Sequence, residues 1–127
     1  MPIIIVYGIS EKEDSAFLEM FIDLVRSKVA SIEELKIKKE QVSVFLQRDL
    51  VVKGLGEEII IFVEGLISRP ERTEEVKKKL AMELVIKVNE SFPKTLFVDC
   101  IIKPLSSGDI CAYGEIKGNM FFTDFRD

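Results

Sequence analysis

The sequence predicts an α+β fold in which two β-α-β units lie side by side. Together they form a four-stranded sheet with both helices on one face. Three observations carry this reading. Two bare apolar runs, Ile3-Ile4-Ile5-Val6-Tyr7 and Ile59-Ile60-Ile61-Phe62-Val63, open the two halves of the chain. A stretch with apolar residues at helical spacing follows each run. An apolar returning segment follows each helix, so the order strand, helix, strand occurs twice, and such parallel crossovers are normally right-handed.

The first run, residues 2–8, is continuous enough to read as a strand covered on both faces. Ser10-Glu11-Lys12-Glu13 has the form of a capping box, with Ser10 as N-cap and Glu13 at N3. The helix it opens runs to about residue 30, with Phe17, Phe21, Leu24 and Val25 on one face and Leu18, Ile22 and Val29 widening the stripe. A charged connector follows, in which Lys36, Lys38 and Lys39 beside Glu33, Glu34 and Glu40 read as solvated. Val42, Val44 and Leu46 then share one face of a returning strand that extends toward Val51.

Lys53-Gly54-Leu55-Gly56-Glu57 is a turn-rich joint. After it come a strand over residues 58–67 and a helix over about 73–91 that buries Val76, Leu80, Leu84, Val85 and Val88. Leu96 to Ile102 is the second returning strand, and Gly108 to Gly114 reads as a hairpin or short strand pair. A shift of 56 residues places Val42, Val44 and Leu46 on Val98, Cys100 and Ile102, and Ile3-Ile4-Ile5 on Ile59-Ile60-Ile61. The 127 residues are thus read as one domain with an internal repeat, about 2–52 and 58–117, and an aromatic tail, 118–127. That tail carries Phe121, Phe122 and Phe125 and is expected to dock, on an adjacent subunit for example.

Composition narrows the chemistry. There is no histidine, which removes histidine-based triads, histidine-ligated zinc and the usual general base. Two cysteines, Cys100 and Cys111, read as buried thiols of a reducing, cytoplasmic setting. Gly54-Leu55-Gly56 lacks the third glycine of a dinucleotide loop, and no metal or cofactor is expected. The net charge of −4 and the lack of a basic aromatic patch argue against a nucleic-acid partner. No apolar run reaches the length of a membrane span. Hydrophobic residues make up 47% with a mean hydropathy of +0.19, a surplus that points to buried subunit contacts. A sheet with helices on one face leaves the other bare, and a trimer or dimer would cover it.

Pro2 is the one position where the chain points to catalysis. An initiator methionine before proline is usually removed, leaving a strand-anchored secondary amine. Out of water such an amine favours its neutral form and can carry protons near neutral pH. If Met1 stays, the nitrogen is an amide without that capacity. The alternative reading is that Pro2 only starts an edge strand. Arg72 lies just before Thr73, the expected N-cap of the second helix, so its guanidinium and free helix N–H groups can meet one anion. Neutralisation of Arg72 by Glu71, Glu74 and Glu75 is the competing reading. Tyr7 alternates with core positions, where a hydroxyl sits either in a site or at the rim of the packing.

Pro2, the doubled β-α-β, Val63-Glu64-Gly65, the helix opening Arg72-Thr73-Glu74-Glu75, Ile101-Ile102 and Gly108…Gly114-Glu115 together resemble the tautomerase superfamily. That superfamily includes 4-oxalocrotonate tautomerase, 5-carboxymethyl-2-hydroxymuconate isomerase and macrophage migration inhibitory factor. The resemblance covers nearly the whole chain, and its length suits the fused, trimeric members. It implies cofactor-independent keto-enol tautomerisation of a small anionic keto or enol acid, with Pro2 as base and Arg72 binding the carboxylate. The arginine of the returning strand is missing, since Gln41 to Phe45 and Thr95 to Asp99 contain none. Arg48 and Arg69 are the candidate substitutes, and Ile110 occupies the place of the apolar wall. Two alternatives stay open: a catalytically silent oligomer of this fold working in binding or assembly, and a ferredoxin-like small-molecule-binding regulatory domain.

Overall fold

The computed structural model describes the backbone of residues 2–10, 12–48, 58–105, 113–117 and 120–124, with side-chain environments for 2–10, 12–47 and 58–105. Strand β1 spans Ile3–Ile9, helix α1 Ser15–Ala30, β2 Ser43–Arg48, β3 Glu58–Ile67, α2 Glu74–Ser91 and β4 Phe97–Leu105. Strands β5, Tyr113–Lys117, and β6, Met120–Asp124, pair antiparallel as a separate hairpin. The main sheet has the order β2-β1-β3-β4. β1 is parallel to β2, β3 is parallel to β4, and β1 and β3 meet antiparallel at the centre.

This order sets aside the ferredoxin-like alternative. In that split arrangement another strand separates the two strands of a β-α-β unit. Here β1 and β2 are hydrogen-bonded neighbours, as are β3 and β4.

One core lies between the sheet and the two helices. Ile4, Val6, Ile59, Ile61 and Val63 point into it from the central strands, and Val44, Leu46, Val98, Cys100 and Ile102 pack against it from the outer strands. Phe21, Val25 and Val29 of α1, four residues apart, meet the sheet, as do Val76, Leu80, Leu84 and Val88 of α2. Each such fully buried aliphatic or aromatic side chain is worth about 1.5–3 kcal/mol. Phe92, after α2, packs edge-on against Phe17 and Phe21 with ring centroids 5.5 and 5.0 Å apart, which ties the two halves together.

The other sheet face carries Ile3, Tyr7, Phe45, Phe97 and Ile101, all exposed, among half-buried Ile5, Ile60 and Phe62. A continuous aromatic and aliphatic face of this kind marks an interaction surface. The continuous apolar run of β1 therefore reflects two apolar faces, of which one chain covers only one.

Three local expectations are corrected. Ser10 does not cap α1: its hydroxyl accepts from the Lys12 N–H at 3.2 Å and its carbonyl from Glu13 N–H at 3.2 Å, closing a turn. The helix starts only after Asp14, the actual N-cap. The connector after α1 is not merely solvated, because Ile32, Leu35 and Ile37 enter the core while Lys36 and Lys38 stay outside. Two 3₁₀ turns, Glu33–Leu35 and Lys39–Gln41, shape it.

The third correction concerns the repeat. A shift of 56 holds for the returning strands but would set exposed Ile3 on buried Ile59. Gly8 and Gly65, both at positive φ (+96° and +74°), sit at matching irregularities of β1 and β3. Aligning them makes the shift 57, and then buried Ile4, Val6 and Ile9 fall on buried Ile61, Val63 and Leu66. A slip of one residue exchanges the two faces of a strand, so burial decides between the shifts. The expected hairpin at Gly108 to Gly114 lies mostly outside the described residues, and the one observed begins at Tyr113. No helix among the described residues is long and apolar enough to cross a membrane.

Candidate functional site

Pro2 stands buried at the head of β1, where its carbonyl accepts the Ser43 N–H at 3.2 Å. The register sets Ile3 between Ser43 and Glu64, with Lys103 beyond Glu64 on β4. Pro2 therefore belongs to the same end of the sheet as Gly65 and the last turn of β3. The strand alternation puts Ser43, Ile3, Glu64 and Lys103 in one row on the open face. The Lys103 ammonium lies over the Phe62 ring, 5.0 Å from its centroid. Sequence reasoning singled out neither Glu64 nor Lys103 as a functional residue. The signal was there: counting by twos from Phe62 and Ile101 puts both charges on the open face at the Pro2 end.

Arg72 reaches this end from the helix layer. It is 5% exposed, the only buried charged side chain among the described residues. Nη1 donates to the Ile67 carbonyl at 2.7 Å, and Nη2 donates to the Leu35 carbonyl at 2.8 Å. Its backbone N–H donates to Arg69 at 3.0 Å, closing the turn that precedes α2. Thr73 caps that helix, its hydroxyl accepting from the Val76 N–H at 3.3 Å, as its position before a Glu-rich first turn predicts. Arg69 is exposed on the same segment.

The remaining candidates stand elsewhere. Tyr7 pairs with Gln47 and Ile60, five residues along β1 from Pro2, or about 16 Å at strand rise. It packs edge-on against Phe62 at 5.7 Å between centroids. Arg48 pairs with Ile9 at the far end of the sheet from Pro2. Ile110 and Cys111 lie outside the described residues. Within one chain, then, Pro2 and the segment carrying Arg69 and Arg72 belong to one end of the sheet, while Tyr7 and Arg48 lie toward the other. Cys100 faces the helix layer, and burial pushes its thiol from 9.0 up to about 11, so it stays protonated at neutral pH. No cluster of three carboxylates or thiols suited to a metal ion occurs among the described residues.

A cavity of about 690 Å³ opens at the opposite end of the sheet, between Gly8, Lys12 and Glu13 on one side and Glu58, Phe92 and Thr95 on the other. It is the repeat-related counterpart of the Pro2 end. The chain crosses from α2 to β4 through residues 92–96 there, whereas residues 31–42 make the crossing from α1 to β2. The longer connector occupies the space that the shorter one leaves open.

No protein-family model matches the chain, and no curated protein sequence does. Solved structures do. A fused 4-OT in a symmetric trimer superposes with a TM-score of 0.69 at 19% identity, covering 85% of this chain and 89% of that one. A macrophage migration inhibitory factor from Toxoplasma gondii gives 0.65 at 13% identity, covering 94% and 99%. Malonate semialdehyde decarboxylase gives 0.59 at 13% identity, covering 86% and 88%. At these identities the likeness carries the fold. By strand order and by these neighbours, the chain has the fold of the tautomerase superfamily.

Proposed function

We propose that the chain is a tautomerase-like protein that interconverts keto and enol forms of a small carboxylic acid, with a processed Pro2 as general base. The burial of Pro2 at the head of a central strand carries this reading. A secondary amine in that place is held still by the sheet and kept from water, which favours its neutral, proton-accepting form. The amine takes a proton from the carbon beside the substrate carbonyl, the electron pair moves to oxygen as an enolate, and the proton returns to oxygen. Nothing is oxidised, so no cofactor is required. Arg69, an exposed residue on the segment that ends at Arg72, is assigned to the substrate carboxylate.

The open apolar sheet face supports a homo-oligomer, and the symmetric and asymmetric trimers of fused 4-OT neighbours favour a trimer among the possible forms. A cytoplasmic location fits the protonated thiol of Cys100. A silent assembly module of the same fold is the second reading. It is favoured by the commitment of Arg72 to two backbone carbonyls.

Two measurements decide. The intact mass of the native chain is expected to show methionine removed. Phenylpyruvate ketonisation is expected to fall about 100-fold or more in Pro2→Ala, the usual range for loss of a general base. Retained methionine, or an unchanged rate in Pro2→Ala, sinks the enzymatic reading and leaves the assembly module.

A further inference from the structure

The two ends of the sheet are related by the repeat yet filled with different chemistry. Asp14 and Thr73 are the corresponding N-caps, so Arg72 occupies the place that Glu13 holds in the first half. Glu13 lines a cavity, whereas Arg72 is buried against the longer connector. The guanidinium joins one carbonyl from each half: Ile67 closes β3, and Leu35 ends the first 3₁₀ turn of the connector. Leu35 is fully buried, and Lys36 after it adopts a left-handed conformation at φ +53°, which turns the chain toward β2. The connector then delivers Ser43, whose N–H donates to the Pro2 carbonyl. A chain of contacts therefore runs from Arg72 through residues 35–43 to Pro2.

We propose that Arg72 is a positioning residue for the Pro2 end of the sheet, fixing the connector of residues 31–42 against β3, and is not the ligand of the substrate carboxylate. Three observations support this assignment. Both terminal nitrogens of the guanidinium already donate to carbonyls at short distance. Charge-assisted bonds of this kind are stronger than neutral ones. The Ile67 carbonyl lies 5 residues away and the Leu35 carbonyl 37 residues away, so the second bond ties the start of α2 to the connector of the other half rather than serving the local helix start alone. The side chain is also buried, while Arg69 on the same segment is exposed. The functional half of this assignment rests on the reading of Pro2 as the base; the structural half does not.

Peptide-resolved hydrogen exchange on the full chain tests the structural half without reference to activity. In Arg72→Met, amides in residues 32–43 are expected to exchange about tenfold or more faster, since two charge-assisted bonds are lost. Arg72→Lys, which keeps the charge but reaches one carbonyl at a time, is expected to fall between, and it serves as the test variant if Arg72→Met does not fold. Arg69→Met is expected to leave connector exchange unchanged. Connector exchange at the wild-type rate in either Arg72 variant overturns the proposal. With phenylpyruvate, the Arg72 variants are expected to lower kcat and move the pH profile with little change in KM, whereas Arg69→Met raises KM. A KM raised about tenfold by Arg72→Lys, with intact connector protection, makes Arg72 the carboxylate ligand and also overturns the proposal. Wild-type protein without ketonisation activity removes the Pro2 reading, while the exchange rates still decide the role of Arg72.

Discussion

Replacing Gly8 with alanine tests the irregularity that aligns the two halves. Gly8 sits at φ +96°, between Tyr7 and Ile9, where β1 changes register against β2. An L-residue in a left-handed conformation costs about 1–2 kcal/mol. A Cβ there would fall on the Glu58 carbonyl oxygen and lie 3.3 Å from the Glu58 carbonyl carbon and 3.4 Å from Ile59 Cα. These atoms are backbone at the start of β3, a central strand paired on both sides, so they cannot swing aside as a side chain does. Relief requires β1 and β3 to part locally, with loss of one or two ladder bonds at about 1 kcal/mol each. The sum, about 2–4 kcal/mol, is a large share of the 5–15 kcal/mol that typically holds a domain together. Urea unfolding followed by circular dichroism should show the unfolding free energy lower by that amount, read as a fall in the midpoint at unchanged slope. A loss below about 1 kcal/mol would mean that Gly8 is not confined as described, and with it the alignment of Gly8 on Gly65 would fail.

Two further outcomes concern the open sheet face and the partly buried thiol of Cys100. Phe45 is 54% exposed on edge strand β2. If an adjacent subunit covers it, Phe45→Glu forfeits about 1.5–3 kcal/mol of burial and strands a carboxylate, so association should weaken at least about tenfold. An unchanged mass in sedimentation equilibrium at low protein concentration would exclude this face as the subunit interface. Cys100 has its thiol raised from 9.0 to about 11 by burial. Its folded-state value lies above the unfolded one, so its contribution to stability is fully present below pH 9.0 and is lost as pH rises through about 11. Alkylation of the Cys100 peptide by iodoacetamide should stay slow through neutral pH and accelerate toward pH 11; fast modification at neutral pH contradicts this account of its surroundings.

Much of the fold was legible because its signals are local. The apolar runs at Ile3 and Ile59, the periodicity through Phe21, Val25 and Val29, and Thr73 before Glu74 each act within a few residues, and the strands and helices stand close to where those patterns put them. The connector was misread because Ile32, Leu35 and Ile37 are interleaved with lysines and glutamates. That pattern has neither helical nor strand period, and only contact with the core shows which residues are inside. Ser10 failed as a cap for a related reason: the same motif also closes a simple turn, and here the chain enters the helix only at Asp14.

The site divides in the same way. Pro2 could be singled out because its position and its ring nitrogen are facts of covalent chemistry. Arg69 and Arg72 could be marked as guanidinium groups near a helix start, but not told apart. The sequence by itself determined the order of elements, the alternation within each regular stretch of strand, and the position of the proline. Tertiary structure alone decided that β1 and β3 meet antiparallel, so that the head of one half lies beside the tail of the other. It also decided that Arg72 turns inward to Leu35, 37 residues away, while Arg69 stays outside. The reason is physical: alternation and capping are set by neighbours along the chain, whereas a buried guanidinium goes to whichever carbonyls the packed core brings within reach.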